Sequence, residues 1–361
     1  MFEHLDDSQP FAADDDFRRG VFRRGRQLRL RRRIAAAATG LAVTLAGVGV
    51  AGVLYVDRRD AAIDRVVVEE QPSLDSATNI LLVGTDSRAR FEEEGADTVT
   101  GRRSDTQVIV RLQADGSVAL LPLPRDLQDP ATGQRLNAAH AEGPQALIDA
   151  VHSVTGLPVD HYIELDFRGF IDLVDELGGV ELSVTRSLTD ARSGLVLGPS
   201  PCATLDGETA LALARARHIA GDPSGDLGRM ARGEAALTAL IGQLGESAGD
   251  PTTIDRLTRV LADHATVDDG LTLGRMADIA HVLASAGPER VTSTMLPMVE
   301  VQTPEGASML RLTPEAGPVL QTYGAPAGFE VPPVPSGPGA GAGGTPVELP
   351  DDPGIGPCTG G

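Results

Sequence analysis

NILLVG (residues 79–84) and DTQVIVRLQADGSVALLPL (residues 105–123) decide the fold class. The first is a short apolar run closed by glycine, the pattern of a buried strand. The second sets two apolar runs on either side of Asp115-Gly116, a turn signal that predicts a hairpin with strands over 105–112 and 118–123. Downstream the period changes. Pro144 follows Gly143 and opens a helix that puts Leu147, Val151 and Val154 on one face. Residues 161–165 read as a strand, 167–177 as a helix stopped by Gly178-Gly179, and 180–184 as a strand. Residues 205–213 and 227–244 read as helices, and 251–286 as a further helical stretch. Strands alternating with helices predict an α/β domain, a sheet with helices on its faces.

Charge is spread unevenly along the chain. Residues 1–17 carry six acids, residues 18–33 carry nine Arg and no acid, and the 23 residues 34–56 carry no charge. A helix of that length spans about 34 Å, enough to cross a ~30 Å hydrocarbon core. Cationic side chains ahead of the span hold that end in the cytoplasm. A cleaved signal peptide would have a shorter apolar region and a small-residue cleavage site, whereas this one runs into Asp57-Arg58-Arg59. The layout expected is a cytoplasmic Arg-rich stub (1–33), a transmembrane helix (34–56) and a polar stalk (57–77). An extracytoplasmic domain (78–325, core 78–245) and a Pro/Gly-rich disordered tail (326–361) complete it. The chain is then a single-pass protein of the cell membrane.

Composition excludes several chemistries. All 31 basic residues are Arg, so neither a Schiff-base lysine nor a P-loop lysine exists. A net charge of −20 argues against nucleic acid as a partner. Residues 245–249 spell GESAG, a literal G-x-S-x-G. A helical stripe precedes Ser247 where a nucleophile elbow needs a strand, so the match reads as a small-residue connection.

The informative pattern is Asp and Arg at element ends. Asp86 and Arg88 follow the first strand, Arg103 and Asp105 enter the next two residues apart, and Arg125-Asp126 ends the third. Arg215 and Arg217 are also two apart. They point together only if the helix ends before Arg215 and passes into a strand. Arg229 and Arg232 share a helix face with Asp226. One reading is scattered surface charge, each pair worth ~0–1 kcal/mol. The other is a clamp for phosphate or pyrophosphate, since clustered guanidinium groups need a polyanion and their fork geometry fits one. Two carboxylates beside them suit a hard cation, Mg²⁺ or Mn²⁺.

From NILLVGTDSR through RRSDTQVIVRL, LPLPRDL, RLNAAHAEG, HYIELDFRGFIDLVDELGGVEL, LDGETALALARARH and GDLGRMAR, residues 78–245 resemble the LytR-CpsA-Psr family of cell-wall assembly enzymes. The resemblance implies an α/β/α domain with a central mixed sheet. It implies a phosphotransferase that takes a glycopolymer from polyprenyl pyrophosphate, attaches it to peptidoglycan through a phosphodiester and releases polyprenyl phosphate. Asp86 and Asp105 would hold the metal. Arg88, Arg103, Arg125, Arg215, Arg217, Arg229 and Arg232 would bind the pyrophosphate, with Arg125, Arg215, Arg217 and Asp226 as catalytic residues. The chain departs from the family pattern at Gly233 and Glu234, where a Gln is frequent after the Arg, and at Ala216, where an aromatic is frequent. A Cys near Ser183, present in some relatives, is absent. A polyprenyl-pyrophosphate hydrolase and a non-enzymatic envelope-binding regulator are the alternatives. Cys202 and Cys358, both outside the membrane on this layout, either pair as a disulfide or stay free thiols.

Overall fold

The computed structural model describes residues 58–69, 76–86, 104–222, 224–247, 250–286, 290–303, 306–332, 345–347, 350 and 352–358. Among the described residues the strands are β1 Asp64–Val66, β2 Thr78–Thr85, β3 Ser104–Leu112, β4 Val118–Pro122, β5 His161–Asp166, β6 Val180–Val184, β7 Leu188–Asp190, β8 Leu195–Leu197, β9 Ser200–Leu205, β10 Ala265–Asp268, β11 Val291–Ser293, β12 Met298–Gln302, β13 Ser308–Leu312, β14 Thr345–Pro346 and β15 Ile355–Gly356. The helices lying wholly among the described residues are α1 Leu136–Glu142, α2 Pro144–Thr155, α3 Phe167–Glu176, α4 Gly207–Arg215, α5 Gly225–Ser247, α6 Pro251–His264, α7 Leu273–Ala286 and α8 Ala316–Thr322.

Seven strands form the central sheet in the order β1-β10-β5-β2-β3-β4-β11. It is mixed: β2 runs parallel to β5 and antiparallel to β3, which runs antiparallel to β4. Alternation along each strand divides its side chains between two cores. Leu81, Val83, Ile109 and Leu121 pack with Leu136, Leu147, Ile148 and Val151 of α1 and α2. Ile80, Val108, Val110 and Leu120 pack with Ile241 of α5 and Leu283 of α7. Helices therefore cover both faces. The Asp115-Gly116 turn closes the β3–β4 hairpin with Gly116 at φ 79°. Gly178 and Gly179, both at positive φ, end α3.

A third core lies beside the sheet. Val174 of α3, Val180 and Leu182 of β6, Leu188 and Leu195 of the β7–β8 hairpin, Leu213 of α4 and Leu240 of α5 converge there.

Four expectations change. Residues 251–286 are not one helical stretch: β10 interrupts it and enters the sheet between β1 and β5, with Val267 fully buried. The stalk is shorter than 57–77, because β1 is the sheet's edge strand and Ile63 is 4% exposed. Part of the tail is ordered. β14 pairs with β12, β15 pairs with β6, and Phe329 and Val331 pack on the first core. Cys202, which the Pro-rich sequence around it predicts in a loop, lies in β9; a disulfide joins it to Cys358, Cα to Cα 4.9 Å across 156 residues of sequence. No helix among the described residues is long and apolar enough to cross a membrane, and residues 34–56 lie outside them.

Candidate active site

A cleft of about 510 Å³ opens between the end of β4 and the start of α5, lined by Arg125, Asp126, Arg217, His218, Asp222, Gly225 and Asp226. Each side chain has its own mount. Arg125 follows β4 in a turn, where Leu127 N–H donates to the Pro124 carbonyl at 3.0 Å and Asn137 N–H to the Arg125 carbonyl at 3.1 Å. The second bond ties Arg125 to the first turn of α1. Arg217 comes two residues after the end of α4, past an extended, fully buried Ala216. Asp226 occupies the first turn of α5, where an anion suits the helix dipole.

Asp226 is the hub of the cleft. Arg229 forks onto it with Nε at 2.9 Å and Nη2 at 3.0 Å, and Arg217 Nε lies 2.9 Å from Oδ1. Burial pushes the Asp226 carboxyl up, but Arg229, Arg217 and Arg125 outweigh it and hold the group below the usual carboxylate range. Behind it, Asp222 accepts from Arg186 and Arg232, each at 3.0 Å, and from the Ser224 amide at 2.9 Å. Burial again opposes ionisation, and these donors again win. Asp126 pairs with Arg125 at 3.6 Å and Arg135 at 3.4 Å. Six guanidinium groups thus face three carboxylates. The local excess is positive in a chain of net charge −20, an arrangement that attracts an anion.

Arg125, Arg217, Arg229 and Asp226 come together as the spacing requires. Arg215 is placed differently. Helix α4 runs through Arg215, and Arg217 lies past it, beyond an extended Ala216 and outside any strand. Arg215 is exposed and stacks over the Phe167 ring, 4.9 Å to its centroid. Phe167 directly follows Asp166, the register partner of Thr85, so Arg215 stacks beside the end of β2 that leads into Asp86. Arg232 is corrected too: it is fully buried, donating to Asp222 and, at 2.9 Å, to the Ala216 carbonyl. No guanidinium surface is left for a ligand; Arg232 fastens α5 to the Arg217 segment.

Asp86 is half-buried just past β2. Asp105 is the second residue of β3, and Thr85 registers with Ser104, so the two acidic positions meet at one end of the β2–β3 ladder. Carboxylate oxygens are the ligands that hard cations such as Mg²⁺ and Mn²⁺ take. The Asp105 side chain, Arg88 and Arg103 lie outside the described residues. The sequence reading placed Asp126 at the end of the third strand without giving it a role, and it missed His218 and Asp222. Asp222 carried a faint signal, an Asp two residues before Ser224, which is the spacing of an Asx turn.

A mixed sheet with helices on both faces and an arginine–carboxylate cleft at one end defines an α/β domain of the α/β/α kind. Residues 54–321 match the model of the LytR_cpsA_psr family, and the chain belongs to that family. It is similar to the cell wall biosynthesis protein LcpA of Corynebacterium glutamicum, 30% identical over 277 residues that make up 65% of this chain and 52% of the relative. It is also similar to the polyisoprenyl-teichoic acid–peptidoglycan teichoic acid transferase TagU of Halalkalibacterium halodurans, 34% identical over 193 residues, 52% of this chain and 57% of the relative. The chain spans about half the length of these relatives. Among solved structures, the LytR-Csp2A-Psr enzyme from Actinomyces oris superposes with a TM-score of 0.59 at 25% identity, covering 73% of this chain and 96% of that one. TagT bound to LI-WTA shares the fold, with a TM-score of 0.56 at 23% identity over 72% of this chain and 98% of that one.

Proposed function

We propose that this chain is a phosphotransferase that moves a glycopolymer from a polyprenyl-pyrophosphate carrier to peptidoglycan, leaving a phosphodiester and polyprenyl phosphate. The observation that carries this reading is the cleft: Arg125, Arg217 and Arg229 gathered on Asp226 inside an otherwise acidic chain. Phosphoryl transfer asks little covalent work of a protein and much alignment and charge stabilisation, which such a set supplies. Arg217 and Arg125 would bind pyrophosphate oxygens from the α5 side, and Arg215 from the Asp86 side. Arg88 and Arg103 join the set by their place in the motifs. Asp226, ionised and doubly paired, orients Arg217 and Arg229 toward the ligand.

Asp86 and Asp105 would hold Mg²⁺ or Mn²⁺, which when bound supplies positive charge to phosphate oxygens. We place the domain outside the cytoplasm, anchored by residues 34–56. The Cys202–Cys358 disulfide supports that side, because such bonds persist in oxidising compartments.

The test uses the full chain in detergent with a polyprenyl-pyrophosphate-linked glycan, Mg²⁺ and peptidoglycan oligomers. A glycan–peptidoglycan conjugate is the expected product. Released glycan phosphate without conjugate would make the chain a hydrolase, and unchanged substrate would overturn the reading.

A further inference from the structure

Arg217 and His218 sit in irregular backbone between α4 and α5, where no ladder partner satisfies their amides. One side chain does so. Asp190, the last residue of β7, accepts from Arg217 N–H at 2.8 Å and His218 N–H at 2.9 Å through Oδ2. Its Oδ1 takes the Arg192 N–H at 2.8 Å. Asp190 is 1% exposed. Burial would push its carboxyl up, but the amides of His218, Arg192 and Arg217 outweigh burial and hold it below the usual range. Its mount is rigid: Leu188 and Leu195 of the β7–β8 hairpin share one apolar core with Leu213, Ala216 and Ile219 on either side of Arg217. Ala220 N–H adds a bond to the Thr189 carbonyl at 3.2 Å.

We propose that Asp190 is the positioning residue of the pyrophosphate cleft, a buried carboxylate that fixes the Arg217 backbone so that its guanidinium is already aimed beside Asp226 before a ligand arrives. The inference rests on the pyrophosphate reading above. Preorganisation is what makes a charged donor effective in phosphoryl transfer, because it costs no rearrangement at the moment of reaction. A buried acid with three backbone donors is also hard to replace. Asn at 190 keeps one acceptor but turns a second N–H toward the amides, so at least one donor loses its partner.

The test is a double-mutant cycle with inorganic pyrophosphate as the probe, read by calorimetry on the full chain in detergent. Asp190→Asn should weaken binding roughly 10-fold in the wild-type background and less than about twofold in the Arg217→Ala background. Hydrogen exchange at residues 217–218 should rise in Asp190→Asn while the α1 and α2 amides keep their protection. Asp190→Ser, which retains a single acceptor, serves if the Asn form does not fold. Equal weakening in both backgrounds, or none, sinks the positioning role while the ligand assignment stands. Faster exchange at 217–218 in a protein whose wild type binds no pyrophosphate sinks the ligand assignment and leaves the backbone anchor.

Discussion

The central sheet and the wall of the cleft are held by different physics. In the sheet, β2, β3 and β4 alternate their side chains into two apolar cores, with Leu81, Ile109 and Leu120 fully buried. Each such contact is one of many and acts without direction. In the cleft wall the backbone is irregular and three aspartates do the fastening: Asp190 on the Arg217 and His218 amides, Asp222 on Arg186 and Arg232, Asp226 on Arg217 and Arg229. The lesson is that stability and alignment are assigned to separate parts. A lost methylene should cost the sheet free energy, whereas a lost carboxylate should cost the cleft its geometry.

The largest effect on stability should come from the sheet. Leu81→Ala removes a fully buried side chain and should cost about 2–5 kcal/mol in urea melts, with turnover per folded molecule unchanged. A drop in turnover larger than the drop in folded fraction would show that sheet and cleft are not separate. Next is the tail. Cys358→Ser should lower stability by about 2–4 kcal/mol through the lost cross-link, seen as a fall in Tm that reductant reproduces in the wild type.

A smaller effect separates the two regions by pH. Asp222 has a folded pKa depressed below its unfolded value, so its contribution is present above about pH 4 and is lost as pH falls through the folded value. Wild-type Tm should therefore fall in acid more steeply than that of Asp222→Asn. Parallel profiles would remove Asp222 from the account. The smallest is Arg168→Ala, which breaks an exposed i, i+4 pair with Asp172 and should shift stability by less than about 0.5 kcal/mol.

Legibility in the sequence followed the same division. β2 through β4 and the Leu147–Val151–Val154 face of α2 were readable because periodicity reports burial directly. β10 was not: Ala265–Asp268 is only four residues between two helical stripes, and what makes it a strand is its slot beside β5. The Asp269-Gly270 turn was the available signal. The tail hid its order because Pro and Gly dominate its composition while a few scattered residues, Phe329, Val331, Ile355 and Cys358 among them, do the anchoring. Arg125, Arg217, Arg229 and Asp226 were legible as charges at element ends. The separate partners of Arg215 (Phe167) and Arg217 (Asp226) were not, since they depend on where α4 stops. Asp190 left no trace, because its bonds to Arg217 and His218 join residues that only the core beside the sheet brings together.

Single-turnover transfer of glycan to peptidoglycan oligomers by wild type, Arg217→Ala and Arg217→Lys tests the central claim most directly. If Arg217 donates to charge that develops on the phosphoryl group, the Ala variant should be slower by roughly 10²–10³-fold. Lys should restore little of that, since a point charge cannot reproduce a fork. Conjugate formed by Arg217→Ala at the wild-type rate would contradict the assignment of this cleft as the site of transfer.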